Sequence, residues 1–419
     1  MTVLLLHVPV GFEEAYPLAL ATIAAPVIAS GHPVEGLDVA RAGLAGLRAR
    51  LALGDVDLVG LSAWSPGLSA ARDTIATIRH AAPRVPVVVG GPHPSLAPGD
   101  LDADVVVKGE GELLFSEVVN TFARGDRPPP VIGPPAPLDL ATLPLPDRTV
   151  FRVRDYHRDH NPRGRVYTAS VTSRGCLHEC GYCSAPALWG RGHRFRPAEH
   201  VVDEWSRLRR EHGVDAILVE DDLFTQLPSR VSELCEALIA AQLGIGFELI
   251  NGLRPETLSA GLLRELAAAG CTRIALSLET ASESALNALG RGSDIGRVTR
   301  IVAAARSAGL GVTGYFLLGL PGETATDRER TFTWARELGL DMAHFSVASA
   351  WPGTHFDGPL SLVTRQERAR LYARWYIHPV RALRAARMLG VTPSQLPIMA
   401  ERLWTWMTKP LEARTGRDA

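Results

Sequence analysis

The sequence predicts an α/β protein: a doubly wound parallel sheet, about six further β/α units, and a short helical C-terminal tail. Three observations carry this. Short apolar runs alternate with stretches of helical periodicity, the pattern of parallel strands joined by crossover helices. The series is interrupted by a proline-rich stretch, Arg127 to Arg148. It resumes with an apolar run that leads into three closely spaced cysteines, Cys176, Cys180 and Cys183. The expected organisation is a first domain at 1–126, a connector at 127–165, a second domain at 166–350 and a helical region at 351–419.

Composition sets the bounds. The 419 residues are 46% hydrophobic and 21% charged, enough for two domains with sizeable cores. A formal net charge of −1 gives no reason to expect a phosphate-backbone partner, so nucleic acid is not among the expected partners. The opening MTVLLLHVPVG lacks a basic segment and reads as a strand, not a signal peptide. No run of 18 apolar residues is present, so no membrane span is expected. Of five cysteines, Cys235 and Cys271 fall in apolar surroundings and read as core residues. Free thiols point to a reducing cytoplasm.

In the first domain the expected strands are Val3 to Val8, Val34 to Val39, Val56 to Ala63, Val85 to Gly90 and Val105 to Lys108. Helices are expected at Pro17 to Ser30, Leu44 to Leu53, Ala70 to Ala81 and Glu112 to Ala123. Ligands of such sheets bind at the carboxyl ends of the strands. There the chain reads Leu61-Ser62-Ala63-Trp64-Ser65, then Gly90-Gly91-Pro92-His93-Pro94, then Gly109-Glu110-Gly111-Glu112. Glycines let the backbone approach a bulky ligand, though Gly-Gly-Pro is also an ordinary turn.

The connector cannot hold a regular helix or a central strand. Beyond it, strands are expected at Tyr167 to Thr172, Ala216 to Val219, Gly246 to Ile250, Arg273 to Leu278, Val312 to Leu317 and His344 to Ala348. The first delivers Cys176-Leu177-His178-Glu179-Cys180-Gly181-Tyr182-Cys183, a C-x3-C-x2-C run. Three such thiolates can bind three irons of a [4Fe–4S] cluster and leave the fourth open. A zinc site with a distant fourth ligand is the alternative. Acidic residues close two later strands, at Glu220-Asp221-Asp222 and at Glu279. The tail, with helical runs at Thr364 to Leu389 and Leu396 to Met407, is too short for another catalytic domain.

The cysteine run, with Tyr182 before its last Cys, resembles the hallmark of the radical S-adenosylmethionine (SAM) superfamily. The resemblance implies a partial (β/α)6 barrel. It implies that SAM chelates the open iron and is cleaved to methionine and a 5′-deoxyadenosyl radical. It implies that Glu220, Asp221 and Asp222 face SAM's amino group or the substrate, that Glu279 meets the ribose or amine, and that Gly319-Leu320-Pro321-Gly322-Glu323 lies near the adenine. The pair Arg194 and Arg196 matches an R-x-R that closes on cofactor or substrate; a solvated charged face is the plain alternative. An external electron donor of flavodoxin or ferredoxin type belongs to the same picture.

The glycine-rich strand ends resemble the Rossmann-like cobalamin-binding domain found ahead of one subgroup of that superfamily. By this resemblance Ser62, Gly90, Gly91, His93, Gly109, Glu110 and Gly111 surround the corrin and its nucleotide tail. The D-x-H-x-x-G run whose His ligates cobalt in methionine-synthase-type domains is absent. Asp38 and Gly43 have its outer spacing, but Ala40 stands at the His position. Cobalamin is therefore expected without a His ligand from below, Trp64 covering the lower corrin face. The expected function is a cobalamin-dependent radical SAM methyltransferase acting on an unactivated carbon of a small molecule or peptide. A cyclase or other non-methylating radical enzyme, and a cobalamin-binding sensor, are the alternatives. A methylthiotransferase would need three further Cys in the first domain, and residues 1–175 hold none.

Overall fold

The computed structural model describes residues 1–8, 16–133, 136–156, 165–292, 294–356 and 359–391. The chain forms two units, one built on Met1–Tyr156 with Ala187–Gly190 and Trp351–Gly353, the other on the rest of the chain.

The first unit alternates β1 (Val3–His7), α1 (Leu18–Ala29), β2 (Val34–Asp38), α2 (Val39–Leu51), β3 (Leu58–Ser62), α3 (Leu68–Ala81), β4 (Val87–Gly90), α4 (Pro92–Leu96), β5 (Val105–Val107), α5 (Glu112–Ala123) and β6 (Val131–Ile132). The six strands are parallel, in the order β2-β1-β3-β4-β5-β6. Leu4, Leu6, Val59, Leu61, Val87 and Val89 pack on Leu47, Leu51, Ile75 and Ile78, and each fully buried side chain contributes about 1.5–3 kcal/mol. On the opposite face a Cβ at Gly60 would press into Phe115 and Leu5, so the bare backbone there lets α5 seat its ring.

The expected elements of this unit form, with two instructive differences. α2 starts at Val39, not Leu44, because Asp38 caps it by accepting from Ala40 N at 2.9 Å and Arg41 N at 3.3 Å. Gly43, with φ of 65°, breaks that helix internally. Asp38 and Gly43 are thus a cap and a kink, which accounts for both without a metal-ligand motif. Second, the proline-rich connector supplies β6, an edge strand of two residues, where missing N–H groups are tolerated. Farther on, Tyr16 Oη donates to Phe151 O at 3.0 Å, and Phe151 and Tyr156 are buried in this first unit. The stretch expected to follow β1, from Pro9 to Phe12, lies outside the described residues.

After the connector the chain forms β7 (Tyr167–Ser170), β8 (Ser173–Arg174), α6 (Ala185–Trp189), β9 (Arg194–Phe195), α7 (Ala198–His212), β10 (Ala216–Val219), α8 (Pro228–Ala241), β11 (Gly246–Leu253), α9 (Ala260–Ala268), β12 (Cys271–Glu279), α10 (Glu283–Ala288), α11 (Ile295–Ser307), β13 (Gly311–Leu318), α12 (Ala325–Glu337), β14 (Met342–Val347), α13 (Arg365–Tyr376) and α14 (Pro379–Leu389), all in the second unit except part of α6. Six of these strands form a parallel sheet in chain order, β7-β10-β11-β12-β13-β14, without reversal; β8 and β9 pair as a separate antiparallel ribbon. This is the expected partial six-stranded barrel.

Thr364 to Leu389 is two helices, not one. Pro379 opens the second, where its missing N–H costs nothing. The run from Leu396 to Met407 lies outside the described residues. No described helix is long and apolar enough to cross a membrane.

Candidate active site

The cysteine loop hangs from the carboxyl end of β7 and is pinned by residues that come much later in the chain. Asp221, buried just beyond β10, accepts from Thr172 N at 2.6 Å, Thr172 Oγ1 at 2.6 Å and Ser173 Oγ at 2.5 Å. Asp222 accepts from Gly175 N at 2.7 Å. Gly175 has φ of 85°, and a Cβ there would collide with the carbonyl of Gly192 on the returning chain. Gln226 Oε1 accepts from Leu177 N at 3.2 Å and Cys176 Sγ at 3.7 Å. The turn through Cys180–Cys183 closes with Cys183 N on Cys180 O at 2.9 Å. Gly181 is held on both sides, donating to Leu289 O at 3.1 Å and accepting from His355 N at 2.7 Å.

Burial raises Cys176 above its ordinary value and pushes Cys183 up to about 11. Cys180 receives a hydrogen bond from Arg254 Nη1 at 3.2 Å, and Cys183 one from Ala185 N at 3.4 Å. Among the described residues no three His, Cys, Asp or Glu side chains converge as ligands of one metal ion do. The fit to an iron–sulfur cluster rests on the donor set: three thiols on one short anchored loop, two already facing N–H donors of the kind that tune such clusters.

Beside the loop stands a buried polar triad. Tyr182 Oη donates to Glu279 Oε1 at 2.8 Å, and Arg291 Nη1 donates to Tyr182 Oη at 2.8 Å and Glu279 Oε1 at 2.9 Å. Arg291 Nη2 also reaches Ser277 O at 3.0 Å. Burial raises the Glu279 carboxyl, with Arg291 and Tyr182 opposing the rise. Glu279 adopts φ of 62°, at the bulge where β12 slips register against β13. A left-handed non-glycine residue costs about 1–3 kcal/mol and marks functional sites.

Two expected roles change. Arg196 faces neither cofactor nor solvent. It is buried, donating to Glu204 Oε2 at 2.5 Å, Val171 O at 3.0 Å and His200 O at 3.2 Å, and so clamps the end of β7 to α7. Asp221 has both carboxylate oxygens committed to the loop, which makes it an anchor and not a group open to substrate. Glu220 is half-buried at the end of β10. In the Gly319–Glu323 loop, Glu323 Oε2 accepts from Gly319 N at 2.5 Å, so the turn is closed by its own acid. Arg254 and Arg291 were missed as site residues. Their only sequence signal is a cation just after a strand end and just after a short helix.

In the first unit the ends of β3 and β4 lie side by side, Ser62 opposite Gly90. Gly91 has φ of 99°, and a Cβ there would sit 2.5 Å from Ser62 Oγ. Gly109, with φ of 68°, donates to Ser95 Oγ at 2.8 Å. Gly111 caps α5. Trp64 is 52% exposed. These ends form a ledge of glycine backbone, half-buried and free of side chains beyond Cα. Two further expected contacts are turned elsewhere. His93 is buried with Nδ1 2.9 Å from Ser65 Oγ and Nε2 3.2 Å from Asp100 Oδ2, so both ring nitrogens are engaged. Glu110 is buried and accepts from Leu138 N at 2.8 Å, tying down the connector.

Comparison with known proteins finds a family model for each of the two units. The Radical SAM superfamily model matches residues 170–335 and the B12 binding domain model matches residues 10–119. The chain thus carries a B12-binding domain ahead of a radical SAM domain. It is 29% identical to the uncharacterized methyltransferase PH0819 of Pyrococcus horikoshii, over 81% of this chain and 77% of that one. It is 26% identical to cytidylyl-2-hydroxyethylphosphonate methyltransferase of Streptomyces wedmorensis, over 81% of this chain and 76% of that one. Its fold matches the radical SAM methyltransferase TsrM of Kitasatospora setae, solved with cobalamin and a [4Fe–4S] cluster, at a TM-score of 0.71 and 20% identity over 89% of this chain and 78% of that one.

Proposed function

We propose that this chain is a cobalamin-dependent radical SAM methyltransferase that methylates an unactivated carbon of a small-molecule or peptide substrate. The observation that carries this is the pairing, in one chain, of an anchored three-thiol loop with a glycine-lined ledge at the ends of β3, β4 and β5. When bound, the cluster with SAM supplies a 5′-deoxyadenosyl radical, and methylcobalamin supplies the methyl group. Cys176, Cys180 and Cys183 hold the cluster. Asp221, Asp222 and Gln226 hold the loop that carries them. Tyr182, Glu279 and Arg291 form a fixed hydrogen-bonding wall beside it, on which SAM's polar groups dock. Ser62, Gly90, Gly91, Gly109 and Gly111 would leave room for the corrin, and the exposed Trp64 ring would shield it from water. With both His93 nitrogens engaged, no described His of this ledge is set to ligate cobalt. Reduction of the cluster requires a one-electron donor of the flavodoxin or ferredoxin class.

The test is the product balance under turnover with candidate substrates. Methylated product should appear with both S-adenosylhomocysteine and 5′-deoxyadenosine. Deoxyadenosine with a rearranged, unmethylated product would replace this reading with a cyclase or mutase.

A further inference from the structure

The three cysteines are not equivalent. Cys183 meets a neutral backbone N–H, from Ala185 at 3.4 Å. Cys176 meets an acceptor, the Gln226 amide oxygen, at 3.7 Å. Cys180 alone of the three has a charged donor, Arg254 Nη1 at 3.2 Å. That guanidinium is nearly buried, its side chain 11% exposed, so the surrounding water screens it little. On its far side Nε lies 3.4 Å from Glu256 Oε2, a carboxylate with 39% of its side chain exposed. Arg254 is therefore a relay between a surface acid and one cluster thiolate. The other buried cation near Cys180, Arg291, already serves Glu279 and Tyr182.

We infer that Arg254 sets the reduction potential of the cluster through Cys180, and that Glu256 trims this effect from the surface. The inference rests on the cluster reading above. One electron from the external donor enters the cluster, no proton is taken up, and the added negative charge is shared with the thiolate sulfurs. A charge-assisted hydrogen bond to one sulfur stabilises the reduced state more than the oxidised one. Arg254 thus makes the cluster easier to reduce. Glu256 opposes it by partly neutralising the guanidinium. Arg254 is a positioning and tuning residue, acting through a ligand and not on the substrate.

The experiment is the midpoint potential of the reconstituted full-length protein, read by EPR at poised potentials with iron content measured in parallel. Arg254→Gln should bind the same iron and shift the midpoint negative by about 59 mV, a tenfold loss of reduced cluster at a fixed donor potential. Arg254→Lys should recover part of the shift. Glu256→Gln should move the midpoint the other way, by a smaller step. Equal potentials in wild type, Arg254→Gln and Glu256→Gln would overturn the inference while leaving the cluster assignment intact. If Arg254→Gln fails to load iron, the sign of the Glu256→Gln shift decides alone. A wild type without an iron–sulfur EPR signal would remove the cluster reading itself.

Discussion

The first sheet reverses its strand order between β1 and β3, whereas the second runs from β7 to β14 in chain order. Both are six parallel strands covered by helices. They differ in what stands where the strands end. In the first unit the ends of β4 and β5 run into glycine backbone: Gly90, Gly91, Gly109 and Gly111. In the second they are charged and buried: Asp221, Arg254 and Glu279. A reversal opens a crevice between diverging crossovers, and a crevice admits a wide ligand if side chains are cleared from its floor. An unreversed sheet curls instead, and its inner strand ends converge on a small volume that side chains can control.

Substitutions can break this contrast, and the largest effect belongs to the thiols. Changing Cys176, Cys180 or Cys183 to Ala should take iron from about four per chain to near zero. Cobalamin binding, measured by absorbance after gel filtration, should be unchanged if the two sites are independently built. Next comes Asp221→Ala, which strips the acceptor from a buried N–H and two buried hydroxyls. Leaving these unpaired should cost about 3 kcal/mol or more, seen as a lower thermal midpoint together with loss of iron on dilution. Asp221→Asn, which keeps one acceptor oxygen, should lose less.

Gly91→Ala attacks the other site. A side chain at a φ of 99° is strained, and its Cβ would meet Ser62 Oγ. We expect about 1–3 kcal/mol of destabilisation and weaker cobalamin binding, with iron content intact. The smallest change in stability is that of Trp64→Ala, within about 0.5 kcal/mol because the ring is largely exposed. Its effect should be spectroscopic. The EPR spectrum of bound cob(II)alamin should show no nitrogen splitting in the wild type and should acquire a water or nitrogen ligand in the variant. Nitrogen splitting that disappears in His93→Ala would show instead that the His93 ring swings away from Ser65 and Asp100 to bind cobalt.

What was legible in the sequence follows the same divide. Periodicity placed the longer strands, each a short apolar run bounded by breakers, and missed the two-residue β6, β8 and β9. The glycine-rich strand ends were visible in the sequence, but Gly-Gly-Pro is also an ordinary turn, so their role was legible only through the resemblance. The charged site was only half legible. A carboxylate after a strand looks the same whether it points at a ligand or, like Asp221, back at its own loop. Arg196 sits in a suggestive R-x-R, yet strand alternation and the acid at Glu204 turn it inward. Arg254 and Arg291 owe their roles to partners 74 and 109 positions earlier, at Cys180 and Tyr182. No local pattern encodes a pairing at that range. The division of Thr364 to Leu389 was readable from Pro379, which can begin a helix but not continue one.

Those long separations also impose an order of events on synthesis. The cysteines leave the ribosome within eight residues of one another, but what shapes their loop arrives later: Asp221 49 positions after Thr172, Arg254 74 after Cys180, Glu279 97 after Tyr182, and Arg291 109 after Tyr182. A nascent chain halted before Asp221 exposes three thiols on an unfastened tether. Iron delivered at that moment meets no preformed site. On this reading a chain that has emerged through Arg291 should load iron more stably than one halted before Asp221, which iron retention by truncated chains would check.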